Sequence, residues 1–145
     1  MSEYHIPVLL DESVTALVGD ALSGVYADAT FGGGGHSREI LSRLTQAGRL
    51  LAFDRDSDAL ANKPDDNRLV LIHNNFRFIH NYVLAEGYGD GIDGILADLG
   101  VSSHQFDTAD RGFSFRFDAE LDMRMNKEGG ITAADLVNGL DEAGL

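Results

Sequence analysis

No cysteine occurs among the 145 residues, which excludes disulfides, thiolate nucleophiles and cysteine-ligated zinc or iron–sulfur centres. Basic residues are scarce too: 11 Lys and Arg stand against 24 Asp and Glu, for a net charge of −13. Nucleic-acid affinity rests largely on neutralising phosphates, so the composition argues against a bulk electrostatic nucleic-acid binder. Four of the eleven basic residues, Arg111, Arg116, Arg124 and Lys127, do fall within 17 positions, which leaves a local basic patch open. Long apolar runs are missing. Residues 48–53 and 92–99 are the longest, both are broken by Asp or Gly, and neither approaches a membrane span. The opening, MSEYHIPVLLDE, has no basic region and carries acids early, so no signal peptide is expected and a cytoplasmic location fits. His5, His73, His80 and His104 share no metal-ligand spacing, and no metal site is expected.

What remains is enough for one soluble domain with a real core: 43% of the residues are hydrophobic and 24% charged. From Gly24 onward, short apolar segments alternate with helix-like ones. Residues 24–31 (GVYADATF), 49–54, 68–73 and 91–99 read as strands. Between them, residues 36–44 place Ile40, Leu41 and Leu44 on one helical face, 57–62 start a short helix stopped by Pro64, and 79–86 form a helix ending at Gly87. Such alternation predicts an α/β sheet of about four parallel strands joined by right-handed crossovers, with flanking helices. Residues 100–128 show no sustained period and read as a long loop. Thr132 is a candidate N-cap, with Asp135 three residues on, for a helix starting in residues 132–145.

The chemistry concentrates at strand ends. Asp28-Ala29-Thr30-Phe31 leads into four consecutive glycines and His36 at a strand-to-helix junction. Glycines there allow a sharp turn and close approach to a ligand. A plain Gly-rich turn is the alternative; a P-loop is excluded because no Gly-Lys-Ser/Thr follows. Asp54 ends the next strand 19 residues past Gly35, the position from which a carboxylate accepts hydrogen bonds from the ribose of an adenosine-containing cofactor. Asp28 just before the turn suits a cationic ligand better than a diphosphate, which prefers bare N–H groups. Asp98 closes the fourth strand, and α/β sheets bind ligands at the carboxyl ends of their strands.

The strings HIPVLLDE, YADATFGGGGHS, LAFDRD, DGILADLGVSS, RGFSF and LDMRM, in this order, resemble the MraW-type methyltransferases over residues 5–138. These bacterial enzymes methylate the N4 amino group of a cytidine in small-subunit ribosomal RNA. The resemblance implies a Rossmann-like class I methyltransferase sheet, present here in incomplete form, and S-adenosylmethionine as cofactor. It implies ribosomal RNA or the small ribosomal subunit as partner. Residues 1–130 would form the N-terminal half of the cofactor-binding domain, and 131–145 would begin a helical segment. Gly34, Gly35 and His36 would line the cofactor, Asp54 would hold the ribose, and Phe76 would lie near the adenine, unless it is a core residue. Asp98 and Gln105 would complete the contact set.

Amino methyltransferases resemble one another in placing Asp or Asn-Pro-Pro-aromatic at the position occupied here by Asp98-Leu99-Gly100-Val101. An acceptor there localises the amine lone pair toward the sulfonium methyl. The stacking aromatic is absent from this stretch; Phe113 or Phe115 could replace it or could simply anchor their loop. Family members continue beyond the length of this chain, which predicts a truncated product that binds cofactor without acting on RNA alone. An exposed fourth-strand edge then invites self-association. A nucleotide-binding oxidoreductase using NAD, or a non-catalytic remnant that keeps cofactor binding, are the competing classes.

Overall fold

A computed structural model describes residues 6–144; His5, where the family resemblance begins, lies outside them. Four strands form one parallel sheet: β1 (Val25–Asp28), β2 (Arg49–Asp54), β3 (Leu69–His73) and β4 (Gly94–Leu96). Their order is β3-β2-β1-β4. Helices α1 (Leu10–Val18), α2 (Gly35–Arg43) and α3 (Ile79–Ala85) alternate with them, as do 3₁₀ turns at Ser57–Asn62 and Phe76–Phe78. The sheet is the expected Rossmann-like class I arrangement in incomplete form.

Strand residues sort by parity, as pleating requires. Tyr26, Leu50, Ala52 and Leu96 pack in one cluster with Val14 of α1 and Ile40 and Leu41 of α2. Ala27, Leu51, Phe53 and Ile72 form a second cluster, packed by Ile79, Tyr82 and Val83 of α3. Phe53 meets Tyr82 edge to face, with ring centroids 5.7 Å apart. Both sheet faces are thus covered, which is why β2 reads as a nearly unbroken apolar run.

Several elements differ from the sequence reading, and β1 covers Val25–Asp28 where residues 24–31 read as a strand. Helix α1 was not anticipated, although Leu10, Val14, Leu17 and Val18 repeat at helical spacing. The fourth strand spans three residues instead of the nine in 91–99. Side chains end its ladder at both ends: the Asp93 carboxylate accepts the Val25 N–H at 2.7 Å, and Thr30 Oγ1 accepts the Asp98 N–H at 2.7 Å. Ile95, between them, is 53% exposed.

The chain divides into two compact units, one up to Leu99 and one from Gly100 onward. The second unit holds α4 (Ser103–Asp107), a 3₁₀ turn at Ala109–Arg111 and α5 (Ala133–Gly139). Helix α4 replaces part of the long loop expected there, and its start is a capping box between Ser102 and Gln105. Thr132 caps α5 as anticipated, with Asp135 reciprocating. Arg111 is buried and donates from one nitrogen to the carbonyls of Arg124 and Met125, each at 3.0 Å. That contact ties the RGFSF string to LDMRM.

Arg68 ties the end of α2 to the start of β3. It donates to the carbonyls of Leu44 at 2.7 Å and Thr45 at 3.2 Å, and pairs with Asp66 at 2.6 Å. Arg68 hydrogen bonding holds the Asp66 carboxyl down at about 2, below its ordinary 3.8. The pair's contribution is therefore fully present above the ordinary value and is lost as pH falls through the depressed one. Arg68→Ala should cost about 1–3 kcal/mol at neutral pH. Denaturant unfolding should show that cost shrinking below about pH 3; a pH-independent difference would leave only the carbonyl contacts.

Candidate cofactor site

β1 and β4 mark the place where strand order reverses: β2 and β3 lie to one side of β1, β4 to the other. Open α/β sheets bind ligands in the crevice at the carboxyl ends of such strands. The Gly32–Gly35 turn follows β1 into α2, Asp54 ends β2, and Asp98 lies two residues beyond β4. These groups therefore share one end of the sheet.

Two glycines in the turn have no substitute. Gly34, the N-cap of α2, has φ +80°, and an added Cβ would lie 2.8 Å from Phe31 Cζ. At Gly35 an added Cβ would lie 2.1 Å from Cγ of Pro7. Buried His36 donates from Nε2 to the Val8 carbonyl at 3.1 Å, which places the ring proton on that nitrogen. Pro7 and Val8 thus cover the start of α2, which explains physically why HIPVLLDE and GGGGHS occur together.

Asp54 grips the turn itself. Its Oδ2 accepts the Gly32 N–H at 2.7 Å and its Oδ1 accepts the Asp56 N–H at 2.9 Å. Each oxygen retains a second lone pair for a ligand hydroxyl. Burial raises the Asp54 carboxyl above its ordinary value, while the backbone N–H bonds oppose that shift. Asp28 is raised for the same first reason and is opposed by bonds from Ser37 and Thr30. For both, the neutral form favours folding, so the stability they contribute is fully present below the ordinary carboxyl value and is lost as pH rises from there through the raised folded value.

Phe76 begins the 3₁₀ turn after β3, three residues past His73, which pairs in register with Asp54. At 40% exposure it is not a core residue. Gln105 belongs to the second unit, where its side-chain oxygen accepts the Ser102 N–H at 3.1 Å. In that unit Phe115 is fully exposed and anchors nothing, whereas Phe113 lies under the Arg111 guanidinium at 5.8 Å. Of the basic residues clustered in 111–127, Arg116 pairs with Asp107, and Arg124 with Asp122 at 2.8 Å. Sequence reasoning missed Thr30, Ser37 and Asn62, which bond to Asp98, Asp28 and Gly32 respectively. The Asp28-x-Thr30 spacing was the available signal, since Asp side chains often bond the backbone two residues on.

A profile of the MraW methylase family matches residues 2–145, essentially the whole chain. The chain belongs to that family. Relatives named ribosomal RNA small subunit methyltransferase H agree with it at high identity. The Bacteroides fragilis protein is 59% identical over 139 residues, 96% of this chain and 45% of its own length. That of Flavobacterium johnsoniae is 56% identical over 143 residues, covering 99% of this chain and 47% of the relative. The Parabacteroides distasonis protein is 56% identical over 135 residues, 93% and 44% respectively. This MraW-family chain thus spans slightly less than half the length of the curated relatives it matches. No helix among its described residues is long and apolar enough to cross a membrane.

Proposed function

We propose that this chain supplies the S-adenosylmethionine-binding portion of an enzyme that methylates the exocyclic N4 amino group of a cytidine in small-subunit ribosomal RNA. The observation that carries the reading is the convergence of the glycine turn, Asp54 and Asp98 at the strand-order reversal. The family membership and the name borne by the relatives support methyl transfer and a ribosomal RNA substrate.

The residues present fit that cofactor by charge. Asp54 ends β2 and Asp98 follows β4, which suits a sulfonium and an ammonium better than a diphosphate. Asp28, fully buried, braces Thr30 and Ser37 instead. The cation nearest the turn, Arg38, is bonded to the carbonyls of Gly33 and Asn62. When bound, S-adenosylmethionine supplies an electrophilic methyl group. Asp54 accepts from the ribose hydroxyls with the lone pairs that the turn leaves open. Phe76 offers an exposed apolar face for the adenine at the end of β3. Asp98 accepts an N–H of the target amine, which localises the nitrogen lone pair otherwise delocalised into the base ring.

Asp54→Ala is expected to weaken S-adenosylhomocysteine binding by about 1–3 kcal/mol, the loss typical for hydrogen bonds to a charged group. Unchanged affinity on calorimetric titration would remove Asp54 from the site. The function itself is tested with a full-length protein carrying this sequence, small ribosomal subunits and methyl-labelled cofactor. Label on a cytidine N4 is the expected product. Label confined to another position or to protein would refute the substrate assignment.

A further inference from the structure

Asp98 carries the proposed chemistry, yet its own strand does not hold it. β4 ends at Leu96, and Asp98 is exposed. The last backbone bond between β1 and β4 runs from the Ala29 N–H to the Leu96 carbonyl at 2.8 Å. Beyond it a side chain takes over, because the Asp98 N–H donates to Thr30 Oγ1 at 2.7 Å.

Thr30 is itself fixed. Its N–H donates to Asp28 Oδ1 at 3.0 Å, and Ser37 Oγ donates to Asp28 Oδ2 at 2.7 Å. Asp28 is fully buried. On the other side, the Phe31 N–H donates to the Phe53 carbonyl at 2.9 Å, which holds the chain after Thr30 against β2. A buried carboxylate thus locks the first turn of α2 and the Thr30 backbone together, and the Thr30 hydroxyl extends that lock to the segment bearing Asp98.

We infer that Thr30 is a positioning residue for methyl transfer: its hydroxyl oxygen holds the Asp98 main chain so that the Asp98 carboxylate meets the target amine in line with the methyl donor. The inference rests on the reading of Asp98 given above. Reacting groups must be held in near-attack geometry, and a misplacement of about 1 Å can cost about 10²-fold in rate. The Thr30 contact is the means this fold supplies for holding Asp98 past the end of its strand.

Thr30→Val keeps the side-chain shape and removes the acceptor, whereas Thr30→Ser keeps the acceptor. In the 145-residue chain, amide exchange at Asp98 should rise about tenfold or more in the Val variant, with residues 50–53 unchanged, because the opening is local. In a full-length protein carrying this sequence, the Val variant should lower kcat at saturating S-adenosylmethionine about 10–100-fold. Cofactor affinity should stay within about twofold, since the loss is confined to the transition state. Thr30→Ser should restore both exchange and rate. A normal kcat in Thr30→Val, a parallel loss of cofactor affinity, or a Ser variant no better than Val would overturn the inference. Asp98→Ala separates the two levels. If it fails to slow transfer, the assignment of Asp98 fails and the role of Thr30 falls with it. A slow Asp98→Ala beside a normal Thr30→Val sinks the positioning role alone.

Discussion

Asp98→Ala, in a full-length protein carrying this sequence, is expected to lower single-turnover methyl transfer about 10²–10³-fold at saturating S-adenosylmethionine, the usual cost of one preorganised transition-state contact. Cofactor affinity should fall far less. The amine nitrogen is a poor nucleophile because its lone pair is shared with the ring, and an acceptor for its N–H acts only as that sharing is broken. Were Asp98 merely a cofactor contact, affinity and rate would decline together and the rate would recover at saturation. Asp98→Asn keeps an oxygen acceptor and removes the charge. Substantial activity in the Asn variant would mean that acceptor geometry outweighs charge. Equal rates in wild type, Ala and Asn proteins would end the catalytic role.

Gly34→Ala should have the second large effect, this time on folding. The position has φ +80°, a left-handed conformation that costs an alanine about 1–2 kcal/mol. The added methyl would also press on the ring of Phe31, which is 3% exposed and packed in the core. Arg38, the other neighbour at 2.7 Å, can swing away; Phe31 has no room. Together the two terms predict a loss of about 2–4 kcal/mol. Gly129→Ala is the control, because nothing lies within 4 Å of its added methyl, and a change within about 0.5 kcal/mol is expected there. Equal denaturation midpoints for Gly34→Ala and wild type would contradict the turn geometry.

The parallel sheet was legible because its strands are short apolar runs punctuated by Gly and Asp, with β2 read to the residue at 49–54. Strand length failed for β4, where Asp93 and Thr30 compete with the ladder through side-chain bonds that hydropathy does not register. Helix α4 was missed because it is short, five residues, and α1 because its periodic apolar residues precede the first strand, where the alternating pattern had not begun. At the site, the glycine turn and Asp54 followed from their spacing, and Asp98 from its place at the end of an apolar run and from the family resemblance. Their mutual bonding did not, because Gly32 to Asp54 spans 22 residues and Thr30 to Asp98 spans 68. Of the four basic residues in 111–127 that leave a local patch open, Arg111, Arg116 and Arg124 have partners that spacing does not reveal. Nearby acids and carbonyls engage all three.

On the proposed reading, the strand-order reversal binds an S-adenosyl cofactor and not a dinucleotide. Calorimetric titration of the 145-residue chain with S-adenosylmethionine, S-adenosylhomocysteine and NAD, side by side, distinguishes the two. Saturable one-to-one binding of both S-adenosyl compounds, weakened in Asp54→Ala, with no heat from NAD, is the predicted result. Saturable binding of NAD with silence from S-adenosylmethionine and S-adenosylhomocysteine would contradict it.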